Sequence, residues 1–352
     1  MKKNIFKNAL LLLLIVFLSC GRENRTNNME KQLKTFILSN KTNCSVKIIN
    51  FGAKVMSINV PDKNGNIDDI VLSYDTPEEY IDGNPYFGAI IGRYGSRISK
   101  GKFILNDTEY SLATNNGNNH LHGGPNGFNN VIWDVVEYKN YDSQHYIKFK
   151  YLSKDGEEGY PGNLTVYVKY SFTDDNELII DYNATSDKNT VINLTHHSFF
   201  NLKDAGKSDI LEHELKIFAN SFTPINNEQI PTGQILTVKE TPLDFTEFTS
   251  IGKRINDENT QLQYGNGYDH NWVLNKTTDS LSLAAIVCEP VSGRKMEVFT
   301  TEPGLQFYSG NFLDGSVVGK DSTKYNHRTA FCLEAQHFPD SPNHKNFPST
   351  VL

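Results

Sequence analysis

The chain has 352 residues, 38% hydrophobic and 21% charged, with a formal net charge of -7. This composition is too apolar for a disordered chain, and the length is enough to bury a large core without metals or cross-links. The acidic balance, with no dense Lys/Arg run in the body, argues against a nucleic-acid partner, whose phosphates are held by clustered basic residues.

The first twenty residues form a separate unit. Lys2, Lys3 and Lys7 precede an unbroken apolar run from Ala9 to Leu18, which is too short to span a bilayer as a mature helix and reads as an export signal. Ser19-Cys20-Gly21 follows and resembles the bacterial lipoprotein processing box, with Cys20 as the lipid-modified first residue of the mature chain. The competing reading is an ordinary signal peptide with an incidental cysteine. Residues 21–32 are predicted to be a flexible tether, since Gly21 to Asn28 carries no apolar side chain. Residues 33–352 form the folded body, with no internal repeat and no Pro/Ser-rich linker.

The period of the body is two. "CSVKIINFGAKVMSINVPDKNGNIDDIVLSY" predicts strands broken at Pro61 and at Asn64-Gly65. "PDKNGNID" has its glycine too early for a calcium loop of the EF-hand kind and reads as a hairpin turn. In "GNLTVYVKYSFTDDNELIIDYNAT", Leu164, Val166, Val168, Tyr170 and Phe172 alternate with polar neighbours, then Asp174-Asp175-Asn176 reverses the chain into Leu178, Ile180 and Tyr182. "SLSLAAIVCEPVSGRKMEVFTTEP" predicts two further strands around Ser292-Gly293. Many short strands with few helical stretches predict an all-β fold, one large single-domain sandwich or barrel. Cys44, Cys288 and Cys332 are widely spaced, with no CxxC pair, and read as small buried hydrophobes, with one disulfide among them left open.

Polar residues gather in islands. In "NPYFGAIIGRYGSRISKGKF" the glycine spacing does not fit a dinucleotide fingerprint; Arg93 and Arg97 are either surface charges or donor forks for substrate oxygens. His120 and His122 in "TNNGNNHLHGG" have an H-x-H spacing, but metal catalysis wants a third protein ligand, and the Asn/Gly density favours a loop of neutral hydrogen-bonding groups. In "NLTHHSFFNL" an extended backbone sends His196 and His197 to opposite faces, so one of them at most faces a given site. Ser198 adjoins His197, but no GxSxG elbow surrounds it. "YDHNWVL" sets Asp269 beside Trp272: either a sugar-binding pair, ring stacking plus hydroxyl acceptance, or a turn former and a core indole. Glu334 follows the apolar Phe331-Cys332-Leu333, which predicts a carboxylate in or beside a buried strand and a raised pKa, hence a candidate base. One imidazole and one carboxylate with separated pKa values suffice for paired acid and base work.

Taken together, "GRYGSRISKGKF", "NNHLHGG", "DGEEGYPGNL", "NLTHHSFFNL", "YDHNWVL", "PGLQFYSGNFLDG" and "LEAQHFPDSPN" resemble the aldose 1-epimerase (galactose mutarotase) family, in the family's order. The resemblance implies a large β-sandwich with an open sugar-binding cleft, no cofactor and no metal, acting on free aldohexoses such as galactose or glucose as a monomer or homodimer. By position, Glu334 resembles the general base that takes the anomeric hydroxyl proton, and His197 the general acid that protonates the ring oxygen. Arg97, His122, Asp269 and Gln306 match positions that hold sugar hydroxyls, and Ser96 is counted with them as a substrate-binding residue. Ser96 and His196 stand where the family usually has Asn, which leaves the preferred hexose open. Rival readings are a carbohydrate-binding protein without turnover, a hexose-6-phosphate epimerase and a histidine-based metal hydrolase. A mutarotase with a lipid anchor on Cys20 would face the periplasm and condition sugars for uptake.

Overall fold

Alternating β-branched and aromatic residues fit a half-buried pleated surface, and the period-two stretches fold accordingly. Leu164–Phe172 and Leu178–Ser186 pair antiparallel, from Leu164 opposite Ser186 to Phe172 opposite Leu178. Every second residue of the first strand is buried, beginning with Leu164. Ser282–Cys288 and Lys295–Thr300 form the pair expected around Ser292-Gly293. The turn after Pro61 closes Val55–Pro61 onto Ile67–Asp69. There Asp62 Oδ1 accepts the backbone N–H groups of Asn64 and Asn66 at 2.8 and 2.9 Å, so its carboxylate is committed to the turn.

This computed structural model describes residues 30, 32–81, 83, 85–141 and 143–352. The export signal, Cys20 and nearly all of the tether lie outside the described residues.

Four larger antiparallel sheets carry the fold. Thr35–Ser39, Ser45–Ile49, Val55–Pro61 and Ile67–Asp69 form one; Asp134–Tyr141, Gln144–Ser153, Leu164–Phe172 and Leu178–Ser186 form the next. Thr249–Ser250, Glu214–Ile217, Ser282–Cys288 and Lys295–Thr300 form a third. A single apolar cluster draws Val46 and Ile48, Phe149 and Val168, Leu215 and Val287 from these three, and Trp272, Leu305 and Phe307 from the fourth. Sheets with one apolar face can satisfy it only by stacking, and the result is a β-sandwich.

The fourth sheet is five-stranded, in the order Leu236–Thr237, Ser221–Thr223, Asp269–Val273, Gly304–Tyr308, Cys332–Gln336. Its register sets Asn271 opposite Gln306, and Gln306 opposite Glu334. Because side chains alternate along each strand, this register sorts the sheet into two unlike faces. Trp272, Leu305, Phe307 and Leu333 point into the main core. Asp269, Asn271, Gln306, Glu334 and Gln336 share the opposite face, and all five are buried.

Candidate active site

The polar face of the five-stranded sheet is the floor of the site. Gln306 Nε2 donates to Asp269 Oδ1 at 2.7 Å, and Gln306 Oε1 accepts from Gln336 Nε2 at 3.3 Å. The amide is therefore oriented with its donor toward Asp269. Glu334, on the neighbouring strand, is 3% exposed.

Two short strand pairs bring side chains onto this floor. Thr195–His197 pairs with Ala89–Ile91, and alternation sends the two histidines apart. His196 Nε2 meets Ser198 Oγ at 2.7 Å, with Tyr170 Oη 3.4 Å from its Nδ1. His197 turns to the other side, where its Nε2 lies 3.6 Å from Glu334 Oε1 and its Nδ1 lies 3.5 Å from Cys332 Sγ. Phe199 stacks on the His197 ring at 5.0 Å and 23°. Only Thr195–His197 of this segment is strand, and the alternation holds across it.

Arg97–Ile98 pairs with His120–Leu121, which brings Arg97 and His122 to the same place. Gly123 permits this close approach: it adopts φ +82, and a Cβ there would lie 1.9 Å from Gly92 O. Ser96 N donates to His122 Nδ1 at 3.1 Å. The His122 ring then meets His197 edge-on at 5.2 Å, and Tyr86 packs against both rings at 4.7 and 5.7 Å. Arg97 Nη1 lies 3.9 Å from Asp269 Oδ2, while its Nε donates to Asn116 Oδ1 at 3.0 Å and its Nη2 to Gln229 Oε1. Two side chains fix these segments relative to the floor. Asn193 bridges Gly95 O and His337 N, and Asp340 accepts Ser99 N at 2.9 Å.

Burial dominates the electrostatics. It raises the Glu334 carboxyl well above its usual value, with Asp269 adding to the rise and Arg97 opposing it. It lowers His197 to about 4 and His122 well below the ordinary imidazole range. Asp269 is also raised by burial, against the pull of Arg97 and Gln306. Burial thus opposes a lone charge on either Glu334 or His197, so the singly protonated pair is the state burial favours. Glutamic acid with imidazole, and carboxylate with imidazolium, are two placements of that same proton. The second placement is an acceptor beside a donor, 3.6 Å apart.

His122 has a fixed tautomer. A backbone N–H only donates, so Nδ1 accepts from Ser96 and the ring proton sits on Nε2. His122, His197 and Glu334 do place metal-ligand atoms within 4.8 Å of one another. However, one nitrogen of His122 is engaged by Ser96 and the other is protonated, so the ring offers no free lone pair to an ion. The donor set suits a neutral hydroxylated ligand better than a metal.

The structure brings Arg97, His122, His197, Asp269, Gln306 and Glu334 together. Ser96 is beside them, and its contact with His122 is made by the backbone. Both arginines are buried, which excludes the surface-charge reading, and only Arg97 reaches the site. The Arg93 guanidinium donates to Pro161 O, Gly162 O and Ser153 Oγ at 2.7, 3.0 and 2.5 Å, and so ties loops together. His120 is likewise structural, held by Ala113 O and Tyr160 Oη, both at 2.7 Å. Trp272 is no sugar platform: it faces the core, fully buried, with Nε1 donating to Leu243 O. Cys44, Cys288 and Cys332 are free. Sequence reasoning missed Tyr86, Cys332, Asn116 and Gln229 as neighbours of the site. Cys332 was within reach, since it lies two residues before Glu334 on one strand; the other three come from loops, where no period exists to read.

Comparison with known proteins agrees with the fold. The β-sandwich is that of the galactose mutarotase-like class, and solved structures of that class superpose on it. An aldose epimerase homologue from C. elegans matches with a TM-score of 0.83 and 29% identity over 91% of this chain and 94% of that one. Galactose 1-epimerase from Lactobacillus acidophilus shares the fold, with a TM-score of 0.78, 24% identity and 91% and 96% coverage. The aldose 1-epimerase family model matches residues 34–352. Galactose mutarotase of Bos taurus is 43% identical over 87% of this chain and 86% of its own length, and aldose 1-epimerase of Escherichia coli 35% over 88% of each. The chain belongs to the aldose 1-epimerase family.

Proposed function

We propose that the chain interconverts the α and β anomers of free aldohexoses, galactose and glucose among them. The observation that carries the reading is the 3.6 Å approach of His197 Nε2 to Glu334 Oε1 above a floor of hydrogen-bonding side chains. Glu334, as carboxylate, takes the proton from the anomeric hydroxyl. His197, as imidazolium, gives one to the ring oxygen. The bond from the anomeric carbon to the ring oxygen breaks as the carbonyl forms, rotation about the C1 to C2 bond exchanges the carbonyl faces, and reclosure returns both protons. Moving the two protons together avoids a full charge on either sugar oxygen. No electron is transferred, so the residues suffice without a redox group.

Arg97, His122, Asp269 and Gln306 hold the sugar hydroxyls, with Ser96 fixing His122 through its backbone. The Nε2–H tautomer of His122 makes that ring a permanent donor. Arg97 is already shared by Asn116, Gln229 and Asp269, which favours a neutral hexose over a hexose 6-phosphate. Polarimetry of freshly dissolved α-galactose, α-glucose and α-glucose 6-phosphate tests this: accelerated equilibration of the two free sugars is expected. Sugar binding without acceleration would instead leave a carbohydrate-binding protein.

We further propose that residues 33–352 are the catalytic domain, exported behind a lipoprotein signal in residues 1–20 and held through a lipid on Cys20 at a membrane, facing the periplasm. The Lys-rich start, the short apolar run and the Ser19-Cys20-Gly21 junction support this. Cys20→Ser should release the protein into the soluble fraction; unchanged membrane retention would refute the anchor.

A further inference from the structure

We propose that Gln229 is a specificity-determining residue, whose side-chain amide reads a sugar hydroxyl next to the one held by Arg97. The proposal rests on the aldohexose reading and goes beyond it to the selection of the hexose. The Arg97 guanidinium spends Nε on Asn116 and Nη2 on Gln229, and turns Nη1 toward Asp269 at 3.9 Å. The Gln229 amide is thus joined to the sugar-binding group by a charge-assisted hydrogen bond. Its Oε1 is committed to Arg97, and one Nε2 hydrogen goes to Tyr264 O at 3.3 Å. Among the described residues the second Nε2 hydrogen has no partner, on an amide whose oxygen is held by the guanidinium.

The amide is presented by a built turn. Asn226 Oδ1 accepts Glu228 N and Ile230 N at 2.9 and 3.1 Å, and Gln229 N donates to Asn226 O at 2.9 Å. Glu228 Oε1 in turn accepts Asn118 Nδ2 at 2.7 Å. The turn is therefore fastened to the same Asn-rich loop that supplies Asn116 to Arg97. Gln229 itself sits at φ 60, a conformation that a β-branched residue resists. Two loops from distant parts of the chain converge on one guanidinium, and each contributes an amide.

A site that hydrogen-bonds a hydroxyl rejects the epimer that lacks it there, because its own polar group is then left unpaired. Galactose and glucose differ only at C4, glucose and mannose only at C2. The test is kcat/KM for these three sugars, by polarimetry, with the full chain and with Gln229→Leu and Gln229→Asn. Asn keeps an amide and tolerates the left-handed backbone, so it guards against a folding failure. In the Leu variant, the kcat/KM ratio of one epimer pair should shift about tenfold, through KM more than kcat. Equal losses for all three sugars, or no loss, would overturn the proposal while leaving the anomer-interconverting activity in place. A wild-type chain inactive on all three would overturn the activity and the proposal together.

Discussion

His197 and Glu334 come from strands of different sheets, yet Nε2 of one stands 3.6 Å from Oε1 of the other. Thr195–His197, paired with Ala89–Ile91, lies against the edge strand Cys332–Gln336, so the contact is fixed by strand packing rather than by a loop. Burial then makes each partner resist its own charge. A site built this way sets a proton acceptor and a proton donor 3.6 Å apart, close enough to act on one substrate.

The pH profile follows from those directions. The active pair carries one proton. As pH falls, His197 resists a second proton until about 4, below which Glu334 is a neutral acid and no base remains. As pH rises, Glu334 holds its proton well past the usual carboxylate range, and above that limb both groups are deprotonated and no acid remains. The expected kcat/KM profile has its acid limb near 4, its alkaline limb above the usual carboxylate range and a plateau between them, read by polarimetry after subtraction of spontaneous mutarotation. An acid limb at the ordinary imidazole value would contradict it.

His122 is expected to remain neutral with its proton on Nε2 across that plateau. Nitrogen-15 NMR of labelled protein should still report the Nε2–H tautomer at a pH where an ordinary imidazole is charged, since burial and the neighbouring His197 both oppose its protonation. Loss of this donor in His122→Leu should lower kcat/KM about tenfold to a hundredfold, and chelators should leave the wild-type rate unchanged. Chelator inhibition would restore the metal reading.

Trp272 should matter to stability and not to sugar binding. Trp272→Ala removes a fully buried indole from the main core and should destabilise the fold by about 3–5 kcal/mol in denaturant unfolding. At a temperature where the variant is folded, its KM should match that of the wild type. A raised KM would place the indole against the sugar.

Strand content, the hairpins at Asn64-Gly65 and Ser292-Gly293, and the burial of Glu334 were legible because each is a local pattern: alternation, turn chemistry, an apolar run before a carboxylate. The divergence of His196 and His197 was legible for the same reason, although alternation alone did not say which ring meets the carboxylate. Register decides that, and register is a property of strand pairs. "YDHNWVL" illustrates the limit. Its sequence leaves open whether Asp269 and Trp272 act as a sugar-binding pair, and only the neighbouring strands Ser221–Thr223 and Gly304–Tyr308 determine that the acid faces the site and the indole the core. Gln229, Asn116 and Tyr86 lay beyond reach, since loops converge through tertiary contacts that leave no period in the chain.

The most direct measurement is a double-mutant comparison by polarimetry on α-galactose, with Glu334→Gln, His197→Asn and the two combined. If the two groups act on one transition state as a unit, each single change should cost about 10²–10⁴ in kcat and the combination little more than the worse single. A near-wild-type rate in either single variant, or losses that simply multiply, would contradict the account.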